Sequence, residues 1–187
     1  MHRAGLTPER VIAEAQALSD EVGLDALTLA ALAGRLGVRQ PSLYKHVDGS
    51  DALRRALSVR AKQELATVLA RAAVGKSGDE AISALADAYR SWAHAHPGRY
   101  QSTVAAPTPG DRDDEAASLA AVSVLLDILA GYDLSGADAI HATRAVRAAL
   151  HGFVSIEAAG GFGMPIDIDD SFARLVASIT RGIAGTT

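Results

Sequence analysis

Residues Thr28 to Leu57 read TLAALAGRLGVRQPSLYKHVDGSDALRRAL, and this stretch decides the fold. Leu29, Leu32, Ala33 and Leu36 recur at i, i+3, i+4 and i+7, the stripe that a short helix buries on one face. Thr28 stands where a hydroxyl accepts the first orphan N–H groups, and Gly37 where a left-handed cap ends the helix. A second short helix opens at Gln40-Pro41, since proline is favoured at the first helical position. Leu43 and Val47 are four apart and point inward together, which leaves Gln40, Ser42, Tyr44, Lys45 and His46 facing out. Two apolar anchors beneath a row of hydrogen-bonding and cationic groups match what a major-groove-reading helix requires, with the preceding helix lying across the DNA backbone. The pattern is that of a helix-turn-helix.

GVRQPSLYKHV, followed by the ALRRAL helix, resembles the DNA-binding segment of TetR-family transcriptional regulators, and its helix-turn-helix is tetracycline-repressor-like. The likeness spans roughly residues 8 to 60 and includes EVGLDALTL, with Leu43-Tyr44-x-x-Val47 as its most specific part. The resemblance implies that Thr28, Gln40, Pro41, Ser42, Tyr44, Lys45 and His46 contact operator DNA. Two positions depart from the family pattern. Leu29-Ala30 replace a basic residue often found early in the second helix, and Ser50 replaces a lysine at the start of the fourth, where it is expected to serve as an N-cap. The operator sequence therefore cannot be borrowed.

Composition narrows the class. Of 187 residues, 49% are hydrophobic but only 4% aromatic, so the core is built from Ala, Leu, Val and Ile, and no alternating β-branched runs occur. An all-α protein of about nine helices is expected. The absence of Cys excludes disulfides, thiolate zinc sites and cysteine nucleophiles. No apolar run approaches the roughly 20 residues that span a bilayer, and MHRAGLTPERV has no signal-peptide core, so a cytoplasmic protein without a membrane partner is expected. Net charge is −4, unevenly spread: residues 1–60 carry eight Lys/Arg against seven Asp/Glu, and residues 61–187 ten against fifteen. Arg3, Arg10, Arg35, Arg39 and Lys45 can gather near phosphates while the acids point elsewhere.

The first helix starts at Thr7-Pro8-Glu9, buries Val11, Ala15, Leu18 and Val22, and stops at Gly23. The fourth runs from about Ser50 to Ala73 with Leu53, Leu57, Leu65 and Val68 inward. Gly75 to Gly78 (GKSG) is a linker, because neither a GxxxxGK[ST] pattern nor a strand leads into it. The organisation is a DNA-binding domain over 1–54, a linking helix over about 50–73, and a helical effector-binding and dimerisation domain over 79–187. In the latter, one helix carries Ile82, Leu85, Tyr89, Trp92 and His96 and ends at the proline of HPGRY (96–100). A later helix aligns Leu119, Val122, Leu126 and Leu129, and another, from about Ser135 to Ala159, aligns Ile140, Val146, Leu150, Phe153 and Val154. Gly160 to Gly163 break the chain before Ile168, Phe172, Leu175, Ile179 and Ile183. Tyr89-x-x-Trp92, HPGRY and Leu150-His151-Gly152-Phe153-x-x-x-Glu157 resemble the WHG type of TetR C-terminal domain, which implies ligand sensing and dimerisation. Gly152 costs a helix roughly 1 kcal/mol relative to alanine, and close helix packing is the expected reason for it.

Tyr89, Trp92, Tyr100, His151 and Phe153 bring five of the chain's few ring-bearing residues to one region, and with Leu126 and Arg147 they form the candidate effector site. The rings either line a pocket for a small apolar or aromatic effector or fill a core short of large side chains. His151 is either satisfied by a backbone carbonyl or Glu157, or is a polar contact for the ligand. Arg144 and Arg147 are either a solvated face or an anion clamp. Val146, Leu150, Val154, Phe172, Leu175 and Ile179 are the expected homodimer interface. His94 and His96 are i and i+2 on a helix, about 200° apart, so a shared metal ion is not expected. No H-E-x-x-H, nucleophile elbow or ligand-spaced carboxylate pair is present, so a non-enzyme without cofactor or catalytic residues is expected. The resulting expectation is a ligand-responsive repressor that binds a double-stranded, near-palindromic operator. Its rivals are a constitutive DNA-binding regulator and a small helical enzyme.

Overall fold

A computed structural model describes residues 6–185. Among these the chain is entirely helical: α1 (Pro8–Val22), α2 (Leu29–Leu36), a 3₁₀ helix η1 (Gln40–Lys45), α3 (Gly49–Ala73), α4 (Gly78–Ala95), α5 (Pro97–Ser102), α6 (Arg112–Ala130), α7 (Gly136–Ala158) and α8 (Ile168–Ala184). Arg3 lies outside the described residues. Two compact units emerge. One is the chain up to Lys62 together with His96–Ser118, and the other is Gln63–Ala95 together with the chain from Leu119 onward. HPGRY and the polar loop after it, expected in the C-terminal region, thus cluster with the N-terminal helices.

The first unit closes around Val11, Ala15, Leu18, Leu27, Leu29, Leu32, Ala33, Leu43, Val47, Leu53 and Leu57, with Leu36 and Val38 partly buried against them. The expected stripes of α1 and α2 hold, except that Val22 is 48% exposed. At the last residue of α1, one position before Gly23 turns the chain at positive φ (+86), the side chain has passed beyond the packed face. α2 ends as expected: Gly37 is left-handed, its N–H reaches the carbonyls of Ala33 and Gly34, and Val38 N–H donates to Ala33 O at 3.0 Å. α3 begins with Gly49 at φ +94, so Ser50 lies inside the first turn rather than at the cap.

In the second unit α4 packs against α7 and α8, which also meet each other. Ile82, Leu85, Ala86, Tyr89 and Trp92 of α4 are buried, as are Val146, Leu150 and Val154 of α7 and Phe172, Val176 and Ile183 of α8. The linker at 74–77 separates α3 from α4. Several expected inward positions are displaced. Leu119 is 61% and Ile140 47% exposed, Val68 is half-buried beside a buried Leu69, and α6 buries Ala117, Leu125, Ile128 and Leu129. Alanine abounds on every face of these helices, so the polar contrast that would fix their rotation is weak. A methyl group on Gly152 would meet nothing within 4 Å, so no neighbouring helix demands that glycine.

Candidate nucleic-acid interface and helical core

The reading segment owes its shape to three consecutive local decisions. The Thr28 hydroxyl accepts the Ala31 N–H at 3.1 Å and starts α2. Gly37 reverses the chain with φ +66, and Arg39 is extended before Pro41 sets the first turn of η1. Leu43 is fully buried and Val47 7% exposed, and these two side chains anchor the segment. Thr28, Arg39, Gln40, Pro41, Tyr44 and Lys45 are exposed, while Ser42 and His46 are half-buried. Gln40 Nε2 lies 3.5 Å from the Tyr44 hydroxyl, so these two outward groups form one polar pair. The expected short helix is present, in 3₁₀ rather than α form.

Arg35 does not join the cationic face. Its Nε donates to Glu14 at 2.9 Å and its Nη1 to Glu21 at 2.7 Å, which ties α2 to α1. These bonds raise the guanidinium pKa above its ordinary value, and Arg35 in turn lowers that of Glu21. Arg39 and Lys45 have no ion pair among the described residues.

HPGRY has a role in this same unit that periodicity did not reveal. A Cβ on Gly98 would lie 2.1 Å from Ser19 O, so only glycine lets α5 sit on the end of α1. Asp20 accepts the Arg99 backbone N–H at 2.9 Å, Arg99 Nε lies 3.0 Å from the same carboxylate as an ion pair, and His96 Nδ1 lies 3.4 Å from it. Farther along, Arg55 of α3 pairs with Asp111 and Asp113. Two turns on, Lys62 Nζ meets Asp114 Oδ1 at 2.6 Å with both side chains over nine-tenths buried, and Thr108 N–H donates to the same carboxylate. The glycine after a proline in HPGRY was the available signal for the first contact. The ion pairs join residues more than 50 apart and leave no local trace.

In the second unit Arg90 of α4 donates through Nε to Glu157 Oε2 at 2.9 Å and through Nη2 to Oε1, and Nη1 lies 2.7 Å from Asp169. His94 Nε2 is 2.8 Å from Glu157 Oε2. Arg90 first, and then His94, hold the Glu157 carboxyl below its ordinary pKa. His94 and His96 therefore serve different carboxylates, and among the described residues no group of three His, Cys, Asp or Glu is placed to hold a metal. Tyr132 donates to Asp79 at 2.6 Å, and burial raises its phenol pKa.

The candidate effector residues divide. Tyr89 and Trp92 are buried on α4, Leu126 and His151 half-buried, Arg147 exposed, and His151 Nε2 is 3.5 Å from Ser155 Oγ. Phe153 instead packs tilted against Phe162 and Phe172, at 4.8 and 5.0 Å between ring centroids. Tyr100 is buried on α5 and belongs to the other unit. An open groove of about 540 Å³ lies between α7 and α8, floored by Val146 and Ile179 and bordered by Ala142, Ala145, Ala149 and Gly182. Of the expected interface residues, Val146, Leu150, Val154 and Phe172 are each 2% exposed within one chain, so they have almost no surface left for a partner. Leu175 and Ile179 retain some.

Among the described residues no helix is long and apolar enough to cross a membrane. Residues 82–179 match the family model for the tetracyclin repressor-like C-terminal domain. The chain is 38% identical to the uncharacterized HTH-type transcriptional regulator Rv0681 of Mycobacterium tuberculosis, over 98% of this chain and 84% of that protein. It is 34% identical to the uncharacterized HTH-type transcriptional regulator YobS of Bacillus subtilis, over 97% and 94%. A TetR variant from Acinetobacter baumannii AYE, solved in complex with minocycline, is 25% identical with a TM-score of 0.71, covering 95% of this chain and 96% of that one.

Proposed function

Because the chain belongs to the TetR family of DNA-binding transcriptional regulators, we propose that it is a homodimeric repressor released from a near-palindromic operator by a small apolar or aromatic effector. One observation carries the reading: Leu43 and Val47 pin a short segment whose exposed side is Arg39, Gln40, Pro41, Tyr44 and Lys45. Lys45, Arg39 and Thr28 position the module on phosphates, which carry no sequence information. Gln40, Ser42 and Tyr44, with Pro41 and His46 beside them, approach base edges and thymine methyls.

The minocycline complex of the Acinetobacter relative supports a small-molecule sensor. In the second unit the proposed contacts come from Tyr89, Trp92, Leu126, Arg147, His151 and Phe153. Dimerisation is assigned to the groove face of α7 and α8. There the small side chains Ala142, Ala145, Ala149 and Gly182 admit a facing helix beside Ile179. An effector that binds the two DNA-affinity states unequally shifts their populations, and one that binds them equally does nothing.

Footprinting the purified protein on DNA upstream of its own gene tests the reading. Two protected half-sites, roughly 34–36 Å apart centre to centre, are the expected result. A protein that sediments as a monomer at micromolar concentration and protects no site overturns it.

A further inference from the structure

Between α7 and α8 the chain is exposed from Ala159 to Asp167, with Met164 81% and Ile166 69% exposed. One side chain of this loop turns back. Phe162, 36% exposed, sets its ring against Phe153, whose other ring partner is Phe172. Two glycines fix the start of the loop, just before Phe162. Gly160 has φ +68, and Gly161 donates to Ile156 O at 2.8 Å, so close that an added Cβ would lie 2.7 Å from Ile156 Cγ2. A Cβ on Gly163, just after Phe162, would by contrast meet nothing within 4 Å.

The surroundings specify charge. The Arg90 guanidinium lies 4.8 Å from the Phe172 centroid and 5.7 Å from that of Phe153, yet all three of its nitrogens already face Glu157 or Asp169. Asp167 and Asp170 join Asp169 at the start of α8, where the loop ends. Four carboxylates outnumber the Arg90 guanidinium and the His94 imidazole, which disfavours an anion and favours a cation.

We propose that Phe162 is the built-in occupant of an aromatic binding site and that a planar aromatic cation displaces it, stacking on Phe153 with its charge toward Asp169. A ring pair of this kind is opened at a cost of roughly two- to tenfold in affinity, small enough for a ligand to meet. The inference rests on the sensor reading for its consequence on DNA, but the binding step does not depend on it.

The test titrates the full-length protein with proflavine, a planar cation, and with anthracene carboxylate, a planar anion, in the absence of DNA. Phe162→Ala removes the competing ring and binds proflavine about five- to tenfold tighter than the parent, whereas Phe162→Trp binds it more weakly. Anthracene carboxylate binds Phe162→Ala at least about tenfold more weakly than proflavine does, and Asp169→Asn narrows that gap. Equal proflavine affinity in the parent, Phe162→Ala and Phe162→Trp overturns the proposal, as does equal affinity for the two probes. Both Phe162 substitutions lie in an exposed loop, so folding does not decide the outcome. With no DNA in the titration, failure of the sensor reading leaves its result unchanged, while the footprint addresses that reading alone.

Discussion

The two units spend their charged side chains differently. In the first, Arg39 and Lys45 stand on an exposed segment anchored by Leu43 and Val47, while ion pairs are kept for the scaffold behind it. In the second, Arg90, His94, Glu157 and Asp169 bind one another across α4, α7 and α8. Solvated cations of this kind remain available to a polyanion, because a cation already paired has little left to offer a phosphate. Charges that join helices are matched within the chain, where an uncompensated one would be costly.

Breaking the scaffold of the first unit is the strongest test of this contrast. Lys62→Ala or Asp114→Ala strands the other charge at a site over nine-tenths buried and is expected to cost about 3–5 kcal/mol in denaturant unfolding. Replacing both with apolar residues of similar volume, Lys62→Met with Asp114→Leu, recovers most of that. If each single variant loses less than about 1 kcal/mol, the pair is not a structural clasp.

Gly98→Ala comes next, because its methyl must displace the Ser19 carbonyl. The expected loss is toward the upper end of about 1–3 kcal/mol, with the α5–α1 contact loosened first and read by hydrogen exchange at Arg99 N–H.

On the exposed segment, substitutions are expected to leave the melting temperature almost unchanged and to act on DNA. Gln40→Ala relaxes preference at one operator position at a cost of roughly 1–3 kcal/mol. Lys45→Ala weakens binding to every sequence and lowers the slope of log affinity against log salt by about one. Operator binding unchanged in the double variant removes the segment from the interface.

The smallest effect concerns Glu157. Its folded pKa is depressed below the ordinary 4.5, so the stability it contributes is present above that value and is lost as pH falls through the folded value. Thermal melts taken downward from neutral pH should show the parent losing stability below about 4.5 and Glu157→Gln losing less over the same interval. Parallel acid limbs would mean that Arg90 and His94 do not favour the ionised form.

The contrast also explains what could be read from sequence. The helix-turn-helix was legible because each instruction is local: a threonine cap, a glycine at positive φ, a proline at the first turn and two anchors four apart. The rotation of the later helices was not. Leu119 and Ile140 look equivalent to Leu129 and Val146 in an alanine-rich background, and only tertiary packing decides which pair is covered. For the same reason Leu150, Val154 and Phe172, expected at a subunit interface, are consumed inside the chain. Arg35 reads as a phosphate-facing cation in sequence because its carboxylate partners sit 14 and 21 residues away. The ring cluster was half legible. Phe153 stands in a periodic stripe, whereas Phe162 falls within a glycine break, and its contact closes a loop that no periodicity describes.

The 3₁₀ form of η1 sets a spacing. With three residues per turn, side chains at i and i+3 eclipse, so Pro41 stands in line with Tyr44, and Ser42 with Lys45. Each row advances about 6 Å from one member to the next at a rise of about 2.0 Å per residue, where an α-helix would advance about 4.5 Å. Successive bases on a strand are about 3.4 Å apart, so two steps are about 6.8 Å. The spacing within each row is thus close to two base steps. If it docks in this form, Pro41 and Tyr44 sample bases two apart, and operator changes at those two positions should be sensed together while the base between them belongs to the neighbouring row.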